Sequence, residues 1–510
     1  MMLNWFDITV FMAFIGIVVG FSIFKSRKEK TSEDYFLASR DLKWWLIGFS
    51  IVAANISTEQ FVGMAGQSAG NVGLAVSGYQ LLGAVTIVFV AIFFLPKFLR
   101  AGIYTMPEYL EYRYNPAARG IMALYTMVIY VAVTITAVLY SGGLTLHTIF
   151  DMDLVKAVWL IGIIAAVYTT WGGLKAVVWA DLFQGSTLLI GGLVTMILGF
   201  IAVGGIPSFF KANADRLHMV LPADHPEIPW TVLVIGLWIP NFYYCGLNQF
   251  IVQRTLAAKT LRQGQLGIIF AAALWLLVPF AIVLPGIMAV QLYADKLASP
   301  DQAYPMLIRN LIPVGMRGFI FAAISGAVIS TLASVLNSAS TIFTIDLFKR
   351  HFRKNASQTL LIGIGRIMTI IFVVIGCLIA PKLADPRFKG IFHYIQEFQG
   401  YISPGILAAF VFGFIVRRTP PAAGVTALLL TVPVYGILQL KFSNIAFLNR
   451  MAITFAALIL VMAVITAFKP LREPKVMPVK ADFDMKPTPS VLWLGGAVIV
   501  AVVAFYIIFW

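Results

Sequence analysis

A run of polar residues interrupts an apolar stretch near the beginning of the chain. Residues 55–60 read Asn-Ile-Ser-Thr-Glu-Gln, and they lie between the apolar flanks 44–54 and 61–65. Polar groups at the depth of a bilayer core are costly, and they usually face the interior of a helix bundle or a water-filled path. The run therefore predicts a functional site inside a membrane-spanning bundle.

Two further apolar segments carry interruptions of the same kind. Segment 229–253 contains Pro240-Asn241 and the pair Asn248-Gln249, and segment 388–416 contains Gln396-Glu397 and Pro404-Gly405. Proline removes a backbone donor from a helix, and irregular backbone at membrane depth is tolerated only where it is buried in protein or lines a cavity. These two segments and the one around residues 55–60 are therefore predicted to face a common central site.

A hydroxyl pair in a later segment suits a sodium ion, which takes hard oxygen ligands. Ser330 and Thr331 supply the hydroxyls. Backbone carbonyls of Ala53, Ile56 and Ala327 complete such a set if the helix unwinds beside the polar run. Alternatively, the two hydroxyls cap helix carbonyls or join helices at a small-residue interface.

The elements that position these residues are predicted to be membrane-spanning helices. Of the 510 residues, 60% are hydrophobic and 12% charged, and a run of about 20 apolar residues spans the hydrocarbon core as a helix. About fourteen such segments are predicted: 4–24, 44–66, 73–98, 120–149, 154–172, 176–204, 229–253, 264–292, 304–346, 358–381, 388–416, 421–440, 446–468 and 489–510. Segment 304–346 is too long for one span, so a surface helix is expected before a crossing at 318–346.

The net charge of +15 does not indicate a nucleic-acid partner, because the cations lie between spans and predict a bilayer partner instead. Most of them follow odd-numbered segments; Arg254, Lys259 and Arg262, for example, follow the seventh, and the opposite loops carry fewer cations. The positive-inside rule makes that side cytoplasmic. The chain is thus expected to be a multi-pass protein of the plasma (inner) membrane, with both termini extracellular or periplasmic. No motif of a metalloprotease, a P-loop or a nucleophilic triad is found in a supporting context, which argues against an enzyme.

A series of ordered motifs resembles the sodium/solute symporter family, in its sodium/sugar (sodium/glucose-galactose) branch. The motifs are DYFLASR at 34–40, NISTEQF at 55–61, GIYTMPE at 102–108, NQFIVQRTLAAK at 248–259, LNSAST at 336–341 and YIQE at 394–397. The similarity covers essentially the whole chain, and the block at 248–259 is its most specific part.

The resemblance implies an all-α polytopic membrane protein whose residues 1–510 form one transmembrane domain. Its LeuT-like core of two inverted five-helix repeats, with discontinuous helices, would cover about 44–416, between an extra helix at 4–24 and extra helices at about 421–510. It also implies a secondary transporter that couples inward sodium movement to the uptake of a neutral monosaccharide by alternating access. Sodium would be the co-transported ion.

The resemblance also implies roles for single residues. The sodium site would use the five residues that the ligand chemistry suggests: Ala53, Ile56, Ala327, Ser330 and Thr331. Asp181 matches a carboxylate near the inner end of the sodium path, with a salt bridge to a loop cation as its alternative role. Ala333 stands where relatives that use a second sodium carry a hydroxyl, which favours one sodium per cycle.

The substrate pocket implied by the resemblance is rich in amides, which offer sugar hydroxyls both donors and acceptors. It would contain Asn55, Gln60, Gln80, Asn241, Tyr244, Trp275 and Gln396. Tyr244 would be the inner gate, and Met64, Tyr79 and Phe392 an outer hydrophobic lid; core packing is the alternative role of these last three residues.

Two positions depart from the family pattern. Gln80 stands where sugar-transporting relatives usually carry a carboxylate, and Trp275 stands where the closest pattern has a lysine. The identity of the sugar therefore stays open. Inositol, sialic acid, a carboxylate or an amino acid are alternatives within the family, and a transporter-like sensor is an alternative outside it. The sequence does not give the oligomeric state.

Overall fold

The computed structural model of the protein describes residues 5–26, 37–171, 174–313, 316–385, 387, 390–479, 484–486 and 488–510. Within these ranges the chain is almost wholly helical, and the only extended pairings are two isolated bridges, Leu42 with Ala258 and Leu221 with Pro229. Some predicted positions lie outside the described residues: residue 4 of the first segment, 172 of the fifth, 314–315 of the ninth and 388–389 of the eleventh, and residues 34–36 of the first family-like motif.

The first half of the chain forms helices that alternate between long rods and short or broken pieces. They are α1 (Trp5–Ser26), α2 (Trp44–Asn55), α3 (Ala65–Ala69, preceded by a wide turn at Gln60–Met64), α4 (Gly73–Ala101), α5 (Met106–Arg113), α6 (Pro116–Phe150), α7 (Leu154–Trp171), α8 (Leu174–Ala202), α9 (Ile206–Ala212), α10 (Trp238–Gly246) and α11 (Gln249–Leu256).

The second half follows the same plan. Its helices are α12 (Leu261–Lys296), α13 (Ala303–Leu311), α14 (Met316–Thr341, continued by wide turns through Ile342–Phe352), α15 (Gln358–Ala384), α16 (Ile391–Gln399), α17 (Ser403–Ile415), α18 (Pro421–Lys441), α19 (Phe447–Phe468) and α20 (Ser490–Ile508).

The three segments with polar interruptions are broken helices, as predicted. In the first, α2 ends at Asn55, Ile56 is extended at φ −88° and ψ 90°, and helix resumes at Thr58. In the second, α10 and α11 are separated by Leu247 and Asn248; in the third, α16 and α17 are bent by 45°. Pro240 and Pro404 do not themselves mark the breaks. Each lies in the first turn of a helix, where proline costs no intrahelical hydrogen bond.

Fewer helices meet the length and hydropathy criterion for a membrane crossing than the sequence predicts. Within the described residues, nine helices are long and apolar enough to cross a membrane, or ten if α16 and α17 form one bent crossing. Several other predicted segments correspond to helices too short for this criterion, such as α2 with its 12 residues, so the total of about fourteen stays a prediction. The long segment 304–346 is divided, with the short α13 before α14.

The broken α2 lies at the centre of the bundle. It packs against α8, α12 and α14, and its approach to α8 is close: a Cβ atom added to Gly185 would lie 2.8 Å from Cβ of Ala53. The broken α10 packs against α4 and α17. These contacts bring the polar breaks of distant segments to one region inside the protein.

Candidate functional site

A cavity of about 390 Å³ lies where the broken helices meet α4 and α12. The lining residues are Asn55, Gln60, Tyr79, Gln80, Gly83, Pro240, Asn241, Tyr244, Cys245, Trp275, Phe392, Gln396 and Gln399. All seven residues predicted for a substrate pocket are among them, so the structure brings together side chains that are up to 341 positions apart in sequence, from Asn55 to Gln396.

The polar atoms of this cavity are only partly satisfied by the protein. Gln80 Nε2 donates to Asn55 Oδ1 at 3.0 Å. Four other buried atoms have no hydrogen-bond partner among the described residues: Gln60 Oε1, Gln396 Oε1, Asn241 Nδ2 and Trp275 Nε1. Buried polar groups in folded proteins are nearly always paired. The cavity therefore offers two acceptors and two donors to a ligand that carries both kinds of group.

The cavity lining carries no formal charge. None of its thirteen residues is Asp, Glu, Lys, Arg or His. An anionic or cationic solute would lose most of its hydration here without gaining an opposite charge, which is the costly case for burial. The arrangement favours a neutral, hydrogen-bonding solute.

The aromatic residues predicted as gates are also among the residues that line this cavity. The rings of Tyr79 and Phe392 meet edge to face, with centroids 4.9 Å apart, and both residues are buried. Tyr244 is partly buried, and its ring packs edge to face on Phe250 at 5.6 Å. Met64 is fully buried but does not line the cavity.

Sequence reasoning missed four lining residues. Gly83 and Gln399 each follow a predicted residue by three positions on the same helix, Pro240 directly precedes Asn241, and Cys245 directly follows Tyr244. Helical spacing of three places side chains on one face, so Gly83 and Gln399 could have been found from Gln80 and Gln396. A Cβ atom at Gly83 would lie 3.5 Å from the Trp275 ring, so this glycine gives the indole its space.

The five residues predicted to hold sodium lie at the contact between α2 and α14. All five are buried. Thr331 Oγ1 approaches the carbonyl of Ala53 at 3.5 Å, and Ala327 lies one helical turn before Ser330 and Thr331, on the same face. Because α2 ends at Asn55, its last carbonyls have no intrahelical donor. Ser330, however, uses its hydroxyl to donate to Asp181 Oδ1.

Asp181 belongs to a fully buried ion pair with Arg254, and this corrects one prediction. Arg254 is not a loop cation: it lies within α11 with 1% of its side chain exposed, and its guanidinium is 3.0 Å from Asp181 Oδ2. It was misassigned because a basic residue after an apolar run is typical of a cytoplasmic loop. Asp181 thus forms the salt bridge predicted as its alternative role, but its partner is a cation inside the bundle.

Two serines that sequence reasoning missed complete the cluster. Arg254 donates to the Ser50 carbonyl at 3.0 Å and to Ser334 Oγ at 2.6 Å, and Ser50 Oγ also donates to Asp181. Ser334 lies four residues after Ser330, one helical turn away, so helical spacing could have identified it from Ser330. The cluster connects α2, α8, α11 and α14 directly behind the predicted sodium ligands.

Comparison with known proteins identifies the family of this chain. The family model described as "SSF: Sodium:solute symporter family" matches residues 35–430. The chain belongs to this family. A sodium/glucose cotransporter from Vibrio parahaemolyticus is 38% identical over 492 residues, which cover 90% of each chain. Sodium/myo-inositol cotransporter 2 from Homo sapiens is 34% identical over 450 residues, which cover 81% of this chain and 66% of the human protein.

The fold of this family member is also that of a solved transporter. The structure of a Na⁺-coupled sialic acid symporter in a substrate-bound outward-open state matches with a TM-score of 0.81 at 22% identity, covering 94% of this chain and 99% of that one. The predicted fold class, an all-α polytopic membrane protein with a LeuT-like core and discontinuous helices, is confirmed. The protein is a sodium-coupled solute symporter rather than an enzyme, and sodium is its co-transported ion.

Proposed function

We propose that this symporter couples the inward movement of sodium to the uptake of a neutral, glucose- or galactose-like monosaccharide by alternating access. The observation that carries the proposal is the uncharged cavity with two unpartnered donors and two unpartnered acceptors. A monosaccharide presents hydroxyls that both donate and accept, so it can pair with all four atoms at once. The sodium/glucose cotransporter among the relatives supports the same class of solute.

The broken α2 is the element that joins ion and solute in this proposal. Sodium binds carbonyls of Ala53 and Ile56 on one side and Ala327, Ser330 and Thr331 on the other, and so fixes the break against α14. The side chains of Asn55 and Gln60, directly beside the ion ligands, are thereby oriented toward the cavity. Moving one charge through about 100 mV yields ~2.3 kcal/mol, which supports roughly fifty-fold accumulation of a neutral solute before any sodium gradient is added.

Release requires both ends of the cavity to change. We propose that the Tyr79 and Phe392 rings open outward to admit the solute, and that Tyr244 moves aside to release it inward. The Asp181–Arg254 pair lies behind Ser330, whose hydroxyl donates to Asp181. This contact assists the departure of sodium toward the inner face.

We place both termini outside the plasma membrane by the positive-inside rule, and the ten-helix core at about 44–416.

Myo-inositol is a second candidate solute, and one observation favours it. It is neutral and carries a hydroxyl on every ring carbon, and the charge-free cavity accepts it as readily as a sugar. The human myo-inositol cotransporter is also among the relatives. Gln80 and Trp275, which replace a carboxylate and a lysine of the family pattern, make the two solutes hard to separate by motif. Acidic solutes are disfavoured, because no cation lines the cavity.

Uptake by the purified protein in proteoliposomes tests the proposal. Labelled glucose, galactose and myo-inositol are each offered under an inward sodium gradient and under an equal potassium gradient, with unlabelled sialic acid and amino acids as competitors. The expected result is sodium-dependent, concentrative uptake of a neutral solute, unaffected by the charged competitors. Uptake that proceeds equally in potassium, or that is blocked by a carboxylate solute, contradicts the proposal.

A further inference from the structure

A second cavity, of about 1,130 Å³, lies where α4, α5 and α17 end beside the segment 474–479. Five of its lining residues are cations, and none is Asp or Glu: the cations are Lys97, Arg100, Arg113, Arg417 and Lys475. This is the face that carries the basic loops and that the positive-inside rule makes cytoplasmic. A cavity lined by one sign of charge concentrates ions of the opposite sign.

One of the five cations is committed to the protein itself. Arg113 is buried, and its guanidinium donates to the carbonyls of Gly413 at 2.9 Å, Val416 at 2.7 Å and Thr419 at 3.2 Å. These bonds fix the end of α17 and so form a rigid wall of the cavity. Arg113 therefore positions the site and is not expected to change partners.

The other four cations are available to a ligand. Lys97, Arg100, Arg417 and Lys475 are exposed, and none of them lies within 4 Å of a carboxylate in the part of the chain that the structure describes. The Lys97 ammonium lies 4.0 Å from the centroid of the Phe414 ring, a cation–π contact that leaves its N–H donors free.

The segment 474–479, which lines the cavity beside α17, is held in place by backbone hydrogen bonds. The N–H of Leu471 donates to the carbonyl of Arg418 at 2.8 Å, and that of Lys475 donates to the carbonyl of Arg417 at 3.0 Å. The cavity is also lined by apolar side chains that are largely exposed, Val476 at 83% and Val479 at 67%. A ligand that carries an anionic group next to an apolar chain matches both features, whereas a free anion would use only the first.

We propose that this cationic cavity binds the phosphate head group of an anionic phospholipid from the leaflet on the same face. The phosphate would lie among Arg100, Arg417 and Lys475, with the acyl chains along Phe414 and Val476. Arginine and lysine near a membrane surface each strengthen binding to anionic lipid about fivefold. The proposal does not depend on the identity of the transported solute.

Lipid titration of the purified full-length protein tests this site. Short-chain phosphatidylglycerol, short-chain phosphatidylcholine and inorganic phosphate are titrated separately in a neutral detergent, and the dissociation constants are compared for the wild type, R100Q/R417Q and the matched control R353Q/K354Q. The control removes two exposed cations from another loop of the same face. Expected results are tighter binding of phosphatidylglycerol than of the other two, a loss of about 25-fold in R100Q/R417Q and little change in the control.

The opposite outcomes are equally specific. If R100Q/R417Q and R353Q/K354Q lose equal affinity for phosphatidylglycerol, the effect is one of general surface charge, and the proposed site is wrong. Binding of phosphatidylcholine as tight as that of phosphatidylglycerol overturns the electrostatic argument, and inorganic phosphate that binds as tightly as the lipid overturns the lipid assignment. Lys475→Gln provides a milder variant, with an expected loss of about fivefold, if the double variant does not fold.

Discussion

Neutralising either member of the buried Asp181–Arg254 pair should destabilise the protein far more than neutralising both. Asp181 is wholly buried and Arg254 is 1% exposed, so Asp181→Asn leaves a buried guanidinium without its counter-ion and Arg254→Gln leaves a buried carboxylate. Removing one partner of such a pair costs about 3–5 kcal/mol. In the double variant the two amides can still hydrogen-bond to each other and to Ser50 and Ser334, so we expect a loss of only about 1–2 kcal/mol.

The assay is a double-mutant cycle on the free energy of unfolding, measured by denaturant titration in a fixed detergent. The two single losses sum to about 6–10 kcal/mol, so the expected coupling energy is several kcal/mol, well above the ~0.5 kcal/mol scatter of independent sites. Losses that simply add in the double variant would refute the ion pair as described.

The same variants should shift sodium dependence in opposite directions. Ser330 donates to Asp181, so the charge of the pair is one hydrogen bond away from a proposed sodium ligand. Arg254→Gln leaves a net negative charge there and should lower the half-saturating sodium concentration, whereas Asp181→Asn leaves a net positive charge and should raise it. At an effective dielectric constant of about 20, a unit charge this close to the ion changes its affinity by at least about tenfold. Shifts of the same sign in both variants contradict the model of the site.

Three further predictions concern the ion site, the solute cavity and the buried carboxylate of Asp301, which lies between α12 and α13. Thr331→Ala should raise the half-saturating sodium concentration tenfold or more, and Thr331→Ser should largely restore it; unchanged sodium dependence removes Thr331 from the site. Trp275→Phe deletes an unpaired N–H but keeps a ring. KM for the solute should therefore rise about twofold to tenfold, without a change in sodium dependence. An unaltered KM would show that this donor does not contact the solute. Burial raises the pKa of Asp301 from 3.8 to about 6, so the folded protein holds this proton more tightly than the unfolded chain, and wild-type stability should fall as pH rises from about 4 to about 6. Asp301→Asn keeps an acceptor for the N–H of Ile391 and should lose that dependence, worth about 3 kcal/mol; parallel curves of unfolding free energy against pH for the two proteins contradict this.

The sequence predicted the site best where polar residues interrupt apolar, membrane-spanning segments. Residues 55–60, Asn241 and Gln396 are conspicuous because their neighbours are apolar, and the broken helices bring Asn55, Gln60, Asn241 and Gln396 to one cavity. The family resemblance added Gln80 and Trp275, whose roles no local pattern reveals. Helical spacing would have extended the list to Gly83 and Gln399.

What the sequence could not supply was the pairing of charges across the bundle. Arg254 follows an apolar run, and in one dimension that is the position of a loop cation; only the packing of α11 against α2 and α14 buries it. Glu397, predicted merely as part of a helix break, is paired with Arg450 of α19 at 2.9 Å, 53 residues away. Such partners are fixed by tertiary contacts, which hydropathy and residue spacing along the chain do not reveal.

The short extended break after α2 has a thermodynamic consequence. In the proposed assignment one piece of backbone serves both ligands, so whichever binds first bears the entropy of ordering it and the other binds to a segment already ordered. Linkage then requires reciprocity: the factor by which saturating sodium tightens the solute must equal the factor by which saturating solute tightens sodium. The two factors can be measured independently at equilibrium, and their ratio is fixed at one whichever solute the cavity accepts.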